Sequence, residues 1–275
     1  MYSYEEFKGC IVECLEKECP DKNYVIEVLP GINRMEDILV LLTEKDASPS
    51  LRLKHLYDIY SITEDMEEIL DIIRGGADYP GEDLENELFD SWEKEKTKIF
   101  PVILNRERNL ALISEEDSVY REKLDLIVIY YLKVELLEGK TGSLRITNHF
   151  LKRWGVTEED LYQQSFLNHD YRLLRLADIY ILTNKSRYRG ASGMFFSDEV
   201  RKFAEKNQCD VFILPSSIHE TLLLKDSFEI SVQELKEMVC EINSDKDVIT
   251  EEDFLSNSVY RYSRDTDEIE IVEEV

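Results

Sequence analysis

The first residues of the chain have the apolar spacing of an amphipathic helix. Five apolar side chains follow one another at steps of three and four residues, which places them on one helical face. They are Phe7, Cys10, Ile11, Cys14 and Leu15. Ser3 and Glu6 precede them with the spacing of a capping box, in which each side chain bonds the other's backbone amide. The pattern predicts a helix that begins after Ser3 and ends before Pro20.

Strand patterns follow this helix. Residues 24–29 and 38–42 are rich in β-branched residues and leucine, and a turn-like segment separates them. Apolar and polar residues approximately alternate over 51–60, which predicts a third strand. Thr63 can then cap a second helix, which Gly75 and its neighbour would end.

The rest of the chain mixes short apolar runs with amphipathic stretches. The predicted strands are 99–104, 126–134, 144–147, 179–182, 194–196, 210–214, 221–224, 259–262 and 269–272. The predicted helices are 148–155, a short one capped by Thr157 and Asp160, 198–206 and 231–242. Residues 110–113 are predicted to form either a strand beside 99–104 or part of a loop.

This mixture favours an α+β fold with largely antiparallel sheets over an α/β fold. At 275 residues the chain exceeds the usual size of one domain. The turn-rich, charge-dense stretch 77–96 is the best candidate for a connector. We therefore predict two mixed α+β modules, 1–76 and 97–275, joined by an acidic connector.

The charge of the chain limits its partners. Asp and Glu number 59 against 33 Lys and Arg, for a formal net charge of -26. Binding to nucleic acid or to anionic membrane requires clustered cations, so neither direct partner is expected. Acidic residues concentrate in the connector and in 265–275, where they can serve solubility, dock a basic protein or mimic nucleic-acid phosphates.

Targeting signals and cysteines indicate the compartment. The first residues lack the basic and apolar segments of a secretory signal, and no apolar run reaches the roughly 20 residues of a membrane span. Five cysteines without framework spacing fit reduced thiols. We expect a cytoplasmic, soluble protein without disulfides.

One loop combines the residue types of hydrolytic sites. The apolar strand 211–214 leads into a hydroxyl, an imidazole and a carboxylate, and loops at strand ends often carry chemistry. The candidate catalytic residues are Ser216, Ser217, His219 and Glu220. Triads usually assemble from distant segments, so the alternative is a polar turn in which a serine caps backbone groups.

A second loop, 184–193, is the only appreciably basic stretch and contains flexible glycines. Backbone amides and cations in such a loop can hold an anion. The candidate ligand-binding residues are Asn184, Lys185, Arg187 and Arg189. Three positive charges are also common in an ordinary surface loop, so the alternative to an anion-binding loop is a solvated loop without a ligand.

Metal and cofactor patterns fail when their spacing is tested. Gly139-Lys140 resembles the end of a phosphate-binding loop, but Val134 occupies the position of the required first glycine. Cys10, Cys14 and Cys19 lack a second ligand pair, so core packing is the simpler explanation. The other histidines, His55, His149 and His169, are scattered. No metal and no cofactor are predicted.

Four stretches carry a family resemblance. They are 148–162 (NHFLKRWGVTEEDLY), 179–196 (IYILTNKSRYRGASGMFF), 210–224 (DVFILPSSIHETLLL) and 256–262 (SNSVYRY). They resemble a bacterial protein family of unknown function, DUF5688. The resemblance covers most of the second module and implies a bacterial, cytoplasmic protein without supplying a mechanism.

The function predicted first is a non-enzymatic interaction protein with an acidic surface and an unknown protein partner, because every catalytic pattern fails. The first alternative is a small-molecule-binding protein or enzyme whose pocket is formed by loops 184–193 and 216–220. The second alternative is an inhibitor that mimics nucleic acid.

Overall fold

The computed structural model divides into two compact units, Met1–Leu88 and Phe89–Val275. It describes residues 1–18, 20–42, 50–77, 91–135, 141–168, 170–177, 179–226 and 230–272. Most of the predicted connector lies outside these ranges, as do Cys19, His169, Gly139 with Lys140, and the last three residues of the acidic tail. The predicted module boundaries stay a prediction.

The first unit packs three helices against a three-stranded antiparallel sheet. Its elements are α1 (Tyr4–Glu18), β1 (Asn23–Pro30), β2 (Met35–Leu42), β3 (Ser50–Arg52), α2 (Leu53–Thr63) and α3 (Met66–Ala77). The strand order is β1-β2-β3. Phe7, Leu39, Leu56 and Ile69 come from four of these elements and are almost fully buried in one core. The α1 capping box is present, because the Ser3 amide donates to Glu6 and the Glu6 amide donates to Ser3.

The predicted third strand is wrong for most of its length. Only Ser50–Arg52 is extended, and a helix begins at Leu53. Leu53, Leu56 and Tyr60 are buried at helical spacing, whereas His55, which a strand would have buried, is exposed. Leucines at three-residue steps favour the helix once a core exists to cover them.

The predicted cap of α3 is wrong by two positions. Asp65, and not Thr63, accepts hydrogen bonds from the amides of Glu67 (2.9 Å) and Glu68 (3.3 Å). The helix continues through Gly75 to Ala77.

The second unit contains two antiparallel sheets with short helices around them. Its strands are β4 (Ile99–Asn105), β5 (Tyr120–Lys123), β6 (Leu126–Glu135), β7 (Thr141–Arg145), β8 (Tyr171–Leu176), β9 (Ile179–Asn184), β10 (Val211–Ser217), β11 (Glu220–Lys225), β12 (Tyr260–Ser263) and β13 (Glu268–Ile271). Its helices are α4 (Trp92–Glu95), α5 (Leu110–Ile113), α6 (Asn148–Trp154), α7 (Glu158–Leu167), α8 (Gly193–Phe196), α9 (Glu199–Asn207) and α10 (Val232–Ser244), with single 3₁₀ turns at Lys96–Lys98 and Glu107–Asn109.

In the smaller sheet, β6 pairs with β4 on one side and with β5 and β7 on the other. The larger sheet has the order β13-β12-β10-β11-β9-β8. The predicted α+β class with largely antiparallel sheets is confirmed. Within the described ranges, no helix has the length and apolar character needed to cross a membrane.

Two predicted strands of this unit are short helices instead. Leu110–Ile113 forms one helical turn and does not pair with β4, so the predicted strand is wrong there. Residues 194–196 belong to α8, where three consecutive apolar side chains are all buried. A short apolar run buried on every side has no periodicity that separates helix from strand. The sequence prediction missed β5 and β8, which carry charged residues at sheet edges.

Asp125 joins the two sheets of this unit. Its Oδ2 accepts hydrogen bonds from the hydroxyls of Ser256 (2.6 Å) and Ser258 (2.9 Å), and its Oδ1 accepts one from Tyr260 (2.7 Å). Ser256 and Ser258 lie in the segment that leads into β12, and Tyr260 is the first residue of that strand. Burial first, and then the Asp125 carboxylate, raise the pKa of the Tyr260 phenol far above its usual value.

Replacing Tyr260 with Phe should lower the free energy of unfolding by about 1.5–3 kcal/mol, because a partly buried carboxylate loses a donor. Tyr262→Phe on the same strand is the matched control. Its hydroxyl bonds Asp267, which is half-exposed and already paired with Arg201, so about 0.5 kcal/mol is expected. Urea unfolding measures both; equal losses would contradict a special role for Asp125.

Candidate functional site

The structure brings the two sequence-predicted loops together. Three backbone amides of the loop after β9 donate hydrogen bonds to the loop between β10 and β11. The Arg189 amide donates to Nδ1 of His219 (2.9 Å), the Gly190 amide to the His219 carbonyl (3.0 Å) and the Ala191 amide to the Ile218 carbonyl (3.2 Å). The two loops therefore form one continuous wall.

The His219 ring is held at both nitrogens. Because Nδ1 accepts the Arg189 amide proton, the ring proton lies on Nε2 and is donated to Oδ1 of Asp253 (2.9 Å). The other Asp253 oxygen accepts from the Thr250 hydroxyl (2.7 Å). Within the described residues, no third His, Cys, Asp or Glu joins the pair to make a metal site. Neither ring nitrogen is free to move a proton, so the imidazole acts as an anchor for the Arg189 backbone.

The serines of the catalytic prediction do not reach this ring. Ser217 is buried, and its Oγ accepts the backbone amide proton of His219 (3.0 Å) in a local turn. Ser216 lies at the register shift between β10 and β11, and Glu220 pairs with Ser217. Among the described residues, no hydroxyl bonds the imidazole of His219. The catalytic assignment stays a prediction, and the contacts match its alternative, a polar turn.

Asn184 shapes the first loop. Its Nδ2 donates to the Tyr188 carbonyl (2.8 Å), and its Oδ1 accepts from the Ser186 hydroxyl (2.9 Å) and the Tyr188 amide (3.2 Å). Arg187 and Arg189 adopt left-handed backbone conformations, with φ of 56° and 54°. Non-glycine residues adopt this region at a cost, which surrounding contacts must offset. Lys185 and Arg187 are exposed, so of the four predicted ligand-binding residues only Arg189 points a buried charge inward.

The Arg189 guanidinium is buried without a counter-ion. The residue is 6% exposed, and its Cζ lies 4.5 Å from the ring centre of Tyr131 and 5.0 Å from that of Tyr188. Its Nε and Nη1 have no hydrogen-bond partner. No described carboxylate forms an ion pair with it. Two aromatic faces offset only part of the cost of burying a charge.

Arg189 lines a pocket of about 720 Å³ between the two sheets. The pocket is bounded by the start of β4, the ends of β6 and β7, the start of β8 and the loop after β9. Its wall includes Phe100, Lys133, Tyr171 and Tyr188. Lys98 also lines it but is paired with the buried Glu95 (3.0 Å).

Close packing places the Arg189 loop against both sheets. Ser192 donates its hydroxyl to the Pro101 carbonyl (2.9 Å) and accepts from the Tyr171 hydroxyl (2.8 Å). A Cβ on Gly190 would lie 2.6 Å from the Asn184 amide nitrogen, so only glycine fits there. Asp253, Tyr131 and Tyr171 lie outside the two loops predicted from the sequence, whereas Ser192 lies within the predicted loop 184–193. Nothing in the local pattern of these residues marks them, since each contact joins segments far apart in the chain.

We expect His219→Ala to expose the Arg189 loop to protease. Trypsin should then cut after Lys185 and Arg187 about tenfold faster, a factor that corresponds to about 1.4 kcal/mol of lost anchoring. His219→Asn should be cut more slowly than His219→Ala, because its side-chain oxygen can accept the Arg189 amide proton in place of Nδ1. Limited proteolysis followed by mass spectrometry measures the rates.

Glu220→Ala is the control, because no side-chain hydrogen bond or ion pair joins that residue to the Arg189 loop in the described structure. An His219→Ala protein cut at the wild-type rate would show that the loop is held without the imidazole.

Comparison with known proteins assigns the chain to a family. The family model described as "Family of unknown function (DUF5688)" matches residues 4–176 and 173–264. No curated protein and no solved structure matches the chain. The matched residues include Arg189, His219 and Asp253, together with the pocket wall. The chain belongs to the family of unknown function DUF5688.

Proposed function

We propose that the second unit binds a small anionic ligand in the pocket beside Arg189. The observation that carries this proposal is the buried guanidinium, which lines the pocket and has no carboxylate partner. A charge removed from water without a partner costs several kcal/mol. An anion in the pocket would offset that cost, and the weakly polar surroundings would strengthen the attraction.

The contrast with other arginines of the unit supports the proposal. Five of them form ion pairs with carboxylates: Arg106, Arg121, Arg145, Arg201 and Arg261. With 59 acidic residues in the chain, a carboxylate for Arg189 would be easy to supply. Because no carboxylate of the protein pairs with Arg189 at the pocket wall, the guanidinium is available to an anion from outside.

The geometry favours binding over catalysis. Both nitrogens of His219 are engaged, and Ser217 is occupied by a local turn. A binding protein needs no group that transfers protons. The proposal develops the pocket predicted between the two loops, and a non-enzymatic protein with a protein partner remains compatible with it. We keep the cytoplasmic location, the bacterial origin and the nucleic-acid-mimicking alternative as predictions.

Arg189→Met tests the proposal, because methionine fills similar space without a charge. We expect its free energy of unfolding without ligand to rise by about 1–3 kcal/mol, since the cost of the buried cation is removed. Inorganic phosphate at constant ionic strength should raise the Tm of the wild-type protein and leave that of Arg189→Met unchanged. Arg189→Lys should retain part of the phosphate effect.

Arg264→Met is the matched control, because it removes one exposed positive charge from the turn between β12 and β13. Its phosphate response should equal that of the wild type. A destabilised Arg189→Met that still responds to phosphate would make Arg189 a structural cation and would overturn the proposal.

A further inference from the structure

The chemistry of the pocket wall also indicates which anion fits. This inference rests on the proposed function. We propose that the ligand is a small phosphate ester that carries a flat apolar group: the phosphate lies beside Arg189 and Lys133, and the flat group lies against Tyr188.

The positively charged side chains that line the pocket favour a ligand with more than one negative charge. Arg189 and Lys133 both line the pocket, and neither is paired with a described carboxylate. Lys185 and Arg187, on the same loop as Arg189, are exposed and equally unpaired. The only acidic residue on the wall in the described structure is Asp170, which is exposed. A phosphate ester places a charge of about −1.5 to −2 on one group at neutral pH, which matches this excess better than a single carboxylate.

The size of the pocket favours a ligand larger than an inorganic ion. Its 720 Å³ lies within the range of pockets that hold drug-sized molecules, roughly 300–1,000 Å³. A lone phosphate would leave most of that space to water. The anionic group therefore belongs to a larger molecule.

An aromatic side chain is presented at the mouth of the pocket. Tyr188 is 52% exposed although it lines the wall. Its backbone is clamped by Asn184 and lies between two left-handed residues, Arg187 and Arg189. Strained backbone of this kind is typical of ligand clamps. The ring contacts the Arg189 guanidinium and lies 5.4 Å from the His219 ring, centre to centre. Its remaining exposed surface offers a place where a flat apolar group can pack.

The two carboxamides of the pocket wall are already engaged, so neither is free to bond the edge of the flat group. The Asn168 amide donates to the carbonyls of Lys96 and Ile99 and accepts from Gln164. Asn184 is engaged within its own loop. Both carboxamides are thus used to shape the site. The proposed contact with Tyr188 uses the face of the flat group, so a ring with little polarity suffices for the test.

Calorimetric titration of the full chain with phenyl phosphate, inorganic phosphate, phthalate and benzoate tests the inference. Phenyl phosphate should bind about tenfold more tightly than inorganic phosphate, the contribution of one stacked ring. Benzoate, with one charge, and phthalate, with two separated carboxylates, should bind more weakly than phenyl phosphate.

Tyr188→Ala should remove the tenfold advantage of phenyl phosphate over inorganic phosphate. The readout is the ratio of the two affinities in the same variant, because the ring also contacts Arg189 and its loss can change both affinities together. Tyr188→Phe should keep the advantage, because the ring remains. Tyr120→Ala, which removes another partly exposed tyrosine from β5, should behave as the wild type.

The outcomes separate this inference from the proposed function. If both phosphates bind equally through Arg189, the flat group is wrong and the anion site stands. If phthalate binds more tightly than phenyl phosphate, the phosphate is wrong. If no probe binds in a manner that Arg189→Met abolishes, the proposed function fails and this inference fails with it.

Discussion

A guanidinium buried without a carboxylate is the constraint on which the site of this protein depends. Such a charge is tolerated only where aromatic faces and a rigid backbone hold it, because both desolvation and disorder oppose it. Tyr131 of the smaller sheet supplies one face, and Tyr188 supplies the other. The cation therefore sits where the two sheets of the second unit meet, and its position couples them to the pocket.

The surrounding contacts explain how the chain holds Arg189 in a left-handed conformation. His219 accepts its amide proton, and Asp253 sets the imidazole tautomer that makes this possible. Gly190 allows the loop to approach Asn184 closely, and Ser192 joins the loop to Pro101. Each contact has the same effect, which is to limit the positions open to one side chain. Rigidity of this sort is what a preorganised binding site requires.

The proposed anion site lies in a chain that is acidic overall. A chain with a net charge of -26 repels anions from most of its surface and attracts cations. Lys133 and Arg189 line one pocket, and Lys185 and Arg187 lie on the same loop as Arg189. None of the four has a described carboxylate partner. An anion bound there must gain enough from contacts at short range to exceed the repulsion of the whole molecule. Attraction at short range would be stronger at the proposed site because the guanidinium is shielded from water.

Much of the fold is determined locally by the sequence. The α1 capping box, the helix capped by Thr157 and Asp160, and most strands follow from periodicity and capping, which act within a few residues. Periodicity fails at 51–60 and 194–196, where the core decides between helix and strand. The sequence marked the two loops as chemically distinctive, but only tertiary structure decided their roles. Asp253 stands 34 residues from His219, and burial of Arg189 requires Tyr131 from another sheet; no local pattern encodes such contacts.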